Sequence, residues 1–132
     1  AMAKTLELIA KDKSEGFYTG PVAEDIVHTI QQHGGIISMD DLANYEVVWR
    51  EPVRGKFKDY EVISMPPPSS GGIALIQLLH GFEMLNGKVL PQNSALYIHL
   101  LTELERRVYA DRAEYLGDPD FYPVPEKKLL DP

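Results

Sequence analysis

The stretch GIALIQLLHGFEMLN, residues 72–86, constrains the fold of this chain more than any other. Its apolar residues occupy nearly every side of a helix, which predicts a helix surrounded by protein. Gly87 is predicted to end it, because glycine tolerates the left-handed conformation past a helix end. A chain of 132 residues fits a single domain, residues 1–132, with a modest core. We therefore predict that the isolated chain self-associates through apolar surface that it cannot cover.

The composition excludes several classes of function. A formal net charge of −7 argues against nucleic acid or an anionic membrane as the main partner. The absence of cysteine removes disulfides, thiolate metal sites and cysteine nucleophiles. No apolar run approaches the roughly 18 residues that a membrane-spanning helix needs. Hydrophobic residues at 44% and charged residues at 25% are typical of a globular protein in water.

The first third of the chain is predicted to be helical. Apolar residues on one side and lysines on the other predict a helix over residues 4–13, which Ser14-Glu15-Gly16 breaks. A second helix begins near Pro21, a residue favoured in a first turn, and His33-Gly34-Gly35 closes it.

The middle of the chain is predicted to form strands. Residues 45–50, 53–57 and 60–65 are rich in β-branched and aromatic side chains. Lys58-Asp59 could close a hairpin between the last two, although the usual glycine is missing. Pro52 predicts a bend or a sheet edge, because proline donates no ladder hydrogen bond. The sheet therefore has three strands at most.

Two serines are predicted to cap helices. Ser38 and Asp41 have the spacing of a capping box that opens a turn over residues 40–44. Asn93-Ser94 precedes the last long helix, which runs to about Tyr115. That helix carries one apolar stripe, which consists of Tyr97, Leu101, Leu104 and Val108. Ala95, Ile98 and Leu100 widen the stripe. Together these elements predict an α+β fold, mainly helical with a small antiparallel β element.

The sequence SMPPPSSGG, residues 64–72, leads into the apolar helix and could be a catalytic loop or a stiff turn. A nucleophile elbow needs G-x-S-x-G, and a phosphate-binding loop needs a lysine before its last Ser or Thr; neither is present. Backbone N–H groups at the helix start could still attract an anion. The structural interpretation is favoured: the prolines stiffen the approach, Ser69 or Ser70 caps, and Gly71-Gly72 allow tight packing.

The remaining candidates for chemistry are a histidine pair and a charged helix end. His99 and Glu103 are four residues apart, a spacing that could present two metal ligands, but a solvated face is favoured. The segment YADRAEYLGDPDF, residues 109–121, combines aromatics, alternating charges and a Gly-Asp-Pro stop. This pattern predicts that Asp111 and Arg112 make fixed contacts with another segment of the chain and are not simply part of a solvated helix face.

Three segments in order resemble the γ-glutamyltranspeptidase family: GFYTGPVAEDIVHTIQQHGGIISMDDLANYEVVWREPV, SMPPPSSGGIALIQLL and YADRAEYLGDPDFYPVP. The resemblance covers about residues 16–132 and implies an N-terminal nucleophile hydrolase with a four-layer αββα fold. It implies a precursor that cuts itself into a large and a small subunit. In that family the new terminal threonine attacks γ-glutamyl amides such as glutathione, and the acyl group passes to water or an amino acid. A periplasmic or secreted location follows from the resemblance alone.

The same resemblance implies that this chain is part of the large subunit and carries no catalytic, substrate-binding or metal-binding residue. None of Thr5, Thr19, Thr29 and Thr102 stands in the family's processing context. The nucleophile, the oxyanion glycines and the paired serines that hold substrate are expected beyond residue 132, and the carboxylate-gripping arginine before residue 1. No cofactor is implied; the implied partners are the small subunit and the remainder of the large subunit. A free-standing interaction or binding module that reuses this segment is the alternative.

Overall fold

The computed structural model describes residues 2–85 and 90–131. Contacts divide the chain into two compact units, Ala1–Trp49 and Arg50–Pro132. The single domain that the sequence predicts over residues 1–132 stays a prediction. The described elements are helices together with one antiparallel pair of strands, which confirms the mainly helical α+β fold.

The first unit consists of helices α1 (Met2–Asp12), α2 (Glu15–Tyr18), α3 (Gly20–Gln32) and α4 (Met39–Ala43). The break predicted at Ser14-Glu15-Gly16 lies instead at Lys13, which has a positive φ of 55°, and Ser14; Glu15 and Gly16 already belong to α2. Gly16 lets α2 approach α1 closely, since a Cβ there would collide with the Leu8 carbonyl oxygen. Within α3, Ala23 and Val27 are buried.

Local signals at the ends of α3 and α4 are confirmed. Gly34 has a φ of 80°, and the Gly35 N–H donates to the Ile30 carbonyl oxygen at 2.9 Å, which closes α3. At α4 the Ser38 hydroxyl accepts from the Asp41 N–H, and the Asp41 carboxylate accepts from the Ser38 N–H at 2.8 Å. These bonds form the predicted capping box. The Ser38 hydroxyl also donates to the Asp41 carboxylate at 2.7 Å, and this bond, followed by the one from the Ser38 N–H, holds the pKa of Asp41 below its ordinary value.

The strand predicted over residues 45–50 is wrong for this structure, because these residues belong to no strand or helix. Within the described part of the chain no neighbouring strand pairs with them. A strand forms only where a partner satisfies its N–H and C=O groups. Tyr45, Val47, Val48 and Trp49 are therefore exposed, Trp49 to 97%.

The second unit is built on a hairpin of β1 (Val53–Phe57) and β2 (Tyr60–Ser64), with Val53 opposite Ser64 and Phe57 opposite Tyr60. Lys58 provides the left-handed turn residue, with a φ of 52°, that would ordinarily be glycine or asparagine. Its backbone N–H also donates to the Glu83 carboxylate at 2.6 Å. The predicted hairpin is thus confirmed, with β2 one residue shorter than expected.

Helices α5 (Gly71–Met84), α6 (Ala95–Tyr115) and α7 (Glu126–Leu129) complete this unit. The predicted end at Gly87 lies outside the described residues. On α6 the predicted stripe is half-buried or buried, whereas its flanks at Ala95 and Ile98 are exposed. The sequence did not predict α7, whose Leu129 reaches the core. The core consists of Val53, Ile73, Ile76 and Leu129, with Val62, Tyr115, Leu116, Val124 and Leu130 packed against it.

The apolar helix α5 is only partly covered by this unit. Gly72, Ile73 and Ile76 are buried, but Leu75 is 43% and Met84 76% exposed. The hairpin covers one side, and Ile76 fits closely over Gly55, where an added Cβ would lie 2.6 Å from the Ile76 Cγ2. A helix that is apolar on all sides thus keeps one side free in this structure.

Candidate functional site

The proline-rich loop before α5 is held by its own backbone. The Ser69 N–H donates to the Pro66 carbonyl oxygen at 3.1 Å, and Pro67 between them is fully buried. The Ser69 hydroxyl accepts from the Gly71 N–H at 3.3 Å. Three prolines and these two bonds make a stiff turn, as the structural interpretation of the sequence predicts.

Of the two glycines predicted to allow tight packing, only Gly72 does so. A Cβ on Gly72 would collide with the Met65 carbonyl oxygen and lie 2.5 Å from the Val53 Cγ2. A Cβ on Gly71 would find the Ser69 Oγ at 3.5 Å, an ordinary contact. The first turn of α5 therefore packs against β1 at a distance that only hydrogen at position 72 permits.

Of the two serines predicted to cap α5, Ser69 accepts from the N–H of its first residue, Gly71, whereas Ser70 has a different partner. Ser70 occupies the N-cap position, but its hydroxyl makes no cap hydrogen bond. Instead the Ser70 Oγ accepts from the Arg112 Nε at 3.0 Å. The hydroxyl thus joins the loop to α6, 42 residues further along the chain.

A second bond joins the same two helices. The Gln77 Nε2 of α5 donates to the Asp111 Oδ2 of α6 at 2.9 Å, in a half-buried position. Asp111 and Arg112 are consecutive on α6, and their partners are Ser70 at the N-cap of α5 and Gln77, about two turns further along that helix. The sequence predicted fixed contacts for this pair, and the structure confirms them, but it gave no signal for Gln77 as the partner.

An ion pair holds the chain just beyond α6. Both terminal nitrogens of Arg50 donate hydrogen bonds to the Asp120 carboxylate, at 3.1 and 2.6 Å. The Asp120 N–H donates to the Asp118 Oδ1 at 3.0 Å, which fixes the turn after the predicted Gly-Asp-Pro stop. The hydrogen bond from Arg50 lowers the pKa of Asp120, and the same bond raises the pKa of Arg50. The two residues lie 70 positions apart, so no local pattern could have paired them.

Glu103, one member of the candidate metal pair, is bound by two arginines. The Glu103 carboxylate accepts from Arg106 at 2.7 Å and from Arg107 at 3.1 Å. These bonds, that from Arg106 first, lower the pKa of Glu103. Within residues 2–85 and 90–131 no three His, Cys, Asp or Glu side chains gather in a way that could hold a metal ion. The predicted solvated face fits this geometry better than a ligand set at His99 and Glu103.

The loop serines have no partner that could activate them. Among the described residues, neither the Ser69 nor the Ser70 hydroxyl is hydrogen-bonded to a histidine or a carboxylate. A serine nucleophile needs an adjacent base. The arrangement joins a loop to two helices; it does not form a nucleophile and base pair.

No helix among the described residues is long and apolar enough to cross a membrane.

Solved structures share this fold. The γ-glutamyltranspeptidase of Helicobacter pylori superposes with a TM-score of 0.79 and 46% identity, covering 98% of this chain and 37% of that one. The γ-glutamyltranspeptidase of Pseudomonas nitroreducens, complexed with L-DON, gives a TM-score of 0.80 and 48% identity, covering 98% and 39%. The chain is thus part of an N-terminal nucleophile hydrolase fold.

Sequence comparison defines the family. The family model "Gamma-glutamyltranspeptidase" matches residues 1–132. The glutathione hydrolase proenzyme of Pseudomonas aeruginosa is 51% identical over 133 residues, and that of Escherichia coli K12 is 46% identical over 128. The chain belongs to the γ-glutamyltranspeptidase family. It spans 24% and 22% of the length of these two relatives, although 99% and 97% of the chain is aligned.

Proposed function

We propose that this chain is part of a precursor that cleaves γ-glutamyl amides such as glutathione and passes the γ-glutamyl group to water or an amino acid. The observation that carries the proposal is the family match over residues 1–132, joined by glutathione hydrolase proenzymes at 51% and 46% identity. A free-standing binding module is not favoured, because the relatives that align with nearly all of the chain are proenzymes.

Within that precursor the chain acts as a scaffold and carries no catalytic or substrate-binding group. Its most distinctive polar residues are engaged in holding the chain together: Ser70 with Arg112, Gln77 with Asp111, and Arg50 with Asp120. The nucleophile and the substrate-binding residues belong to other parts of the same precursor. Those parts are also the partners that cover α5, whose Leu75 and Met84 are exposed here.

The test compares the 132-residue chain with the complete precursor, using a γ-glutamyl anilide that releases a chromophore. The complete protein is expected to cut itself into two subunits and to turn over the anilide; the isolated chain should match the buffer blank. A complete protein that folds and yet does not attack γ-glutamyl amides would contradict the proposed activity. Turnover by the isolated chain that disappears in Ser69→Ala and Ser70→Ala would contradict the scaffold role.

A further inference from the structure

A small cavity beside the hairpin is lined by more positive than negative groups. Its volume is about 400 Å³, within the range of roughly 300–1,000 Å³ that is typical of small-molecule sites. The lining residues come from β1, β2, α5 and the end of α7, and they are Arg54, Gly55, Lys56, Glu61, His80 and Leu130. Three of these side chains can carry a positive charge and one carries a negative charge, in a chain whose formal net charge is −7.

The fold brings these groups together from separate elements. Arg54 and Lys56 are two residues apart on β1, so their side chains lie on the same face of that strand. Glu61 lies opposite Lys56 on β2. His80 lines the cavity from α5, where its side chain is half-buried. The cluster therefore exists only because the hairpin packs beside the helix.

Several hydrogen-bond donors at this cavity have no partner. The Arg54 Nη1 donates to the Glu61 Oε1 at 3.0 Å, which leaves the Nη2 and Nε of Arg54 without a partner among the described residues. Within residues 2–85 and 90–131, neither the Lys56 ammonium nor the His80 ring has a hydrogen-bond or ion-pair partner. Unpaired N–H groups of positively charged side chains favour an anionic ligand, because charge-assisted hydrogen bonds are the strong ones.

Surface charge on a strand edge explains only part of this cluster. Lysine and arginine are common on edge strands, because charge there discourages pairing with other chains. That role does not account for His80, which lies on α5 and is the one ionisable residue between Gly71 and Phe82. A half-buried imidazole beside two cations is expected to have a partner, and a bound anion would supply it.

We propose that this cavity binds a phosphate group, either as inorganic phosphate or as part of a small phosphate ester. The two unpaired nitrogens of Arg54 can donate in parallel to two phosphate oxygens, and Lys56 supplies a compact positive charge. The His80 ring can donate one further hydrogen bond. A phosphate offers an oxygen to each of these three side chains, whereas a carboxylate has only two oxygens and a smaller charge. Leu130 provides an apolar wall for the organic part of an ester. The proposal does not depend on the γ-glutamyl activity.

Equilibrium dialysis of the complete precursor against radiolabelled inorganic phosphate, at constant ionic strength, tests the proposal. Saturable binding at millimolar phosphate or below is expected. Phenyl phosphate that displaces the label better than unlabelled phosphate does would identify an ester as the ligand, and equal displacement would identify inorganic phosphate. No saturable binding overturns the proposal, and so does displacement by acetate that is as strong as displacement by phosphate. Because the measurement does not use turnover, an inactive precursor that binds phosphate would contradict only the proposed activity.

Substitutions with opposite expected effects locate the bound phosphate. Lys56→Gln and His80→Asn should each weaken binding about tenfold, because each removes a donor to a charged oxygen. Glu61→Gln should strengthen binding, because Arg54 then loses its competing carboxylate. Lys127→Gln removes the same charge as Lys56→Gln at an exposed position outside the cavity, and it should bind phosphate as the wild type does. Equal weakening in Lys56→Gln and Lys127→Gln, or unchanged binding in all four variants, overturns the site.

Discussion

Gly72 and Gly71 are neighbours in sequence and differ completely in surroundings. The space for a Cβ at position 72 is already filled by the Met65 carbonyl oxygen and by Val53. At position 71 the nearest atom, the Ser69 Oγ, would be 3.5 Å away. The same dipeptide therefore contains one residue required by packing and one that is replaceable.

Gly72→Ala is expected to destabilise the protein by about 1–3 kcal/mol, the usual cost of overpacking a rigid site. Gly71→Ala, the matched control, should change the free energy of unfolding by no more than about 0.5 kcal/mol. Urea unfolding of the complete protein measures both. Equal effects of the two substitutions would show that the close contact at Gly72 relaxes without cost.

Asp120 provides a pH-dependent contribution to stability. Its ordinary pKa is 3.8, and the bond from Arg50 lowers the pKa in the folded state. A carboxyl group with a depressed folded pKa stabilises the fold above its unfolded pKa, and this contribution is lost as the pH falls through the folded value. Asp41 and Glu103 also have lowered pKa values, so the wild type alone cannot report on Asp120.

The thermal midpoint of the wild type should therefore exceed that of Asp120→Asn near neutral pH, and the difference should shrink as the pH falls below about 4. Raising the salt concentration should also reduce the difference, since the pair is partly exposed to solvent. Thermal unfolding of both proteins across this pH range provides the measurement. A difference that stays constant with pH would mean that Asp120 acts without its charge.

At the scale of elements, α6 is fixed to α5 by two consecutive residues in different surroundings. Asp111 is half-buried and accepts from Gln77, whereas Arg112 is exposed and donates to Ser70. The half-buried residue, Asp111, contributes more, because removing its carboxylate leaves the Gln77 amide without its partner. The two bonds therefore differ in their expected cost.

Asp111→Ala in the complete precursor is expected to cost about 1–2 kcal/mol and to slow subunit cleavage. Arg112→Ala should cost less than about 1 kcal/mol, because its hydrogen bond to Ser70 is exposed to solvent. Asp111→Asn, which keeps an acceptor for Gln77, is the control and should behave nearly as the wild type. Normal cleavage and unchanged midpoints in both alanine variants would contradict the joining role, and a selective rise in KM would indicate a substrate site.

A helix, strand or turn can be predicted from the sequence when the residues that determine it lie close together in the chain. The ends of α3, the capping box at Ser38 and the hairpin at Lys58 are set by residues within a few positions of one another, and all three were predictable. Helix α7 was not, because its four residues lie in a proline-rich tail and are held by Leu129 in the core. The prediction of a strand at residues 45–50 failed for the opposite reason. These residues have a high β propensity, but a strand also needs a neighbouring strand with which to pair.

The same division applies to the candidate site. Tight packing at Gly72 and fixed contacts for Asp111 and Arg112 were predictable from unusual local patterns. Their partners were not, since Ser70 and Gln77 lie 42 and 34 residues away. The sequence pattern indicated that Asp111 and Arg112 bind other residues, and the fold shows which residues these are.

At the scale of the whole molecule, the described structure leaves much apolar surface uncovered. Leu75 and Met84 on α5 are exposed, and so is Trp49 before the hairpin. Exposed apolar residues of this kind usually mark surface that another protein segment covers. Without the remainder of the precursor, association between copies is the available way to remove this surface from water.

Sedimentation of the isolated chain is therefore expected to show association that increases with concentration and decreases in Leu75→Glu. Gln92→Glu adds the same charge at an exposed, polar position and should associate as the wild type does. A compact monomer at high micromolar concentration would contradict this expectation. Association that Leu75→Glu leaves unchanged would exclude the exposed side of α5 as the contact.

The close approach at Gly72 has a consequence for how variants of this loop are interpreted. If codons 69–72 were randomised and clones chosen only for soluble expression, glycine should still return at position 72, while position 71 should accept many residues. Position 72 would then show a strict preference for glycine although the clones were never selected for enzymatic turnover. Intolerance to substitution in this loop therefore measures how near two backbones lie, and it would be a poor guide to where the chemistry takes place.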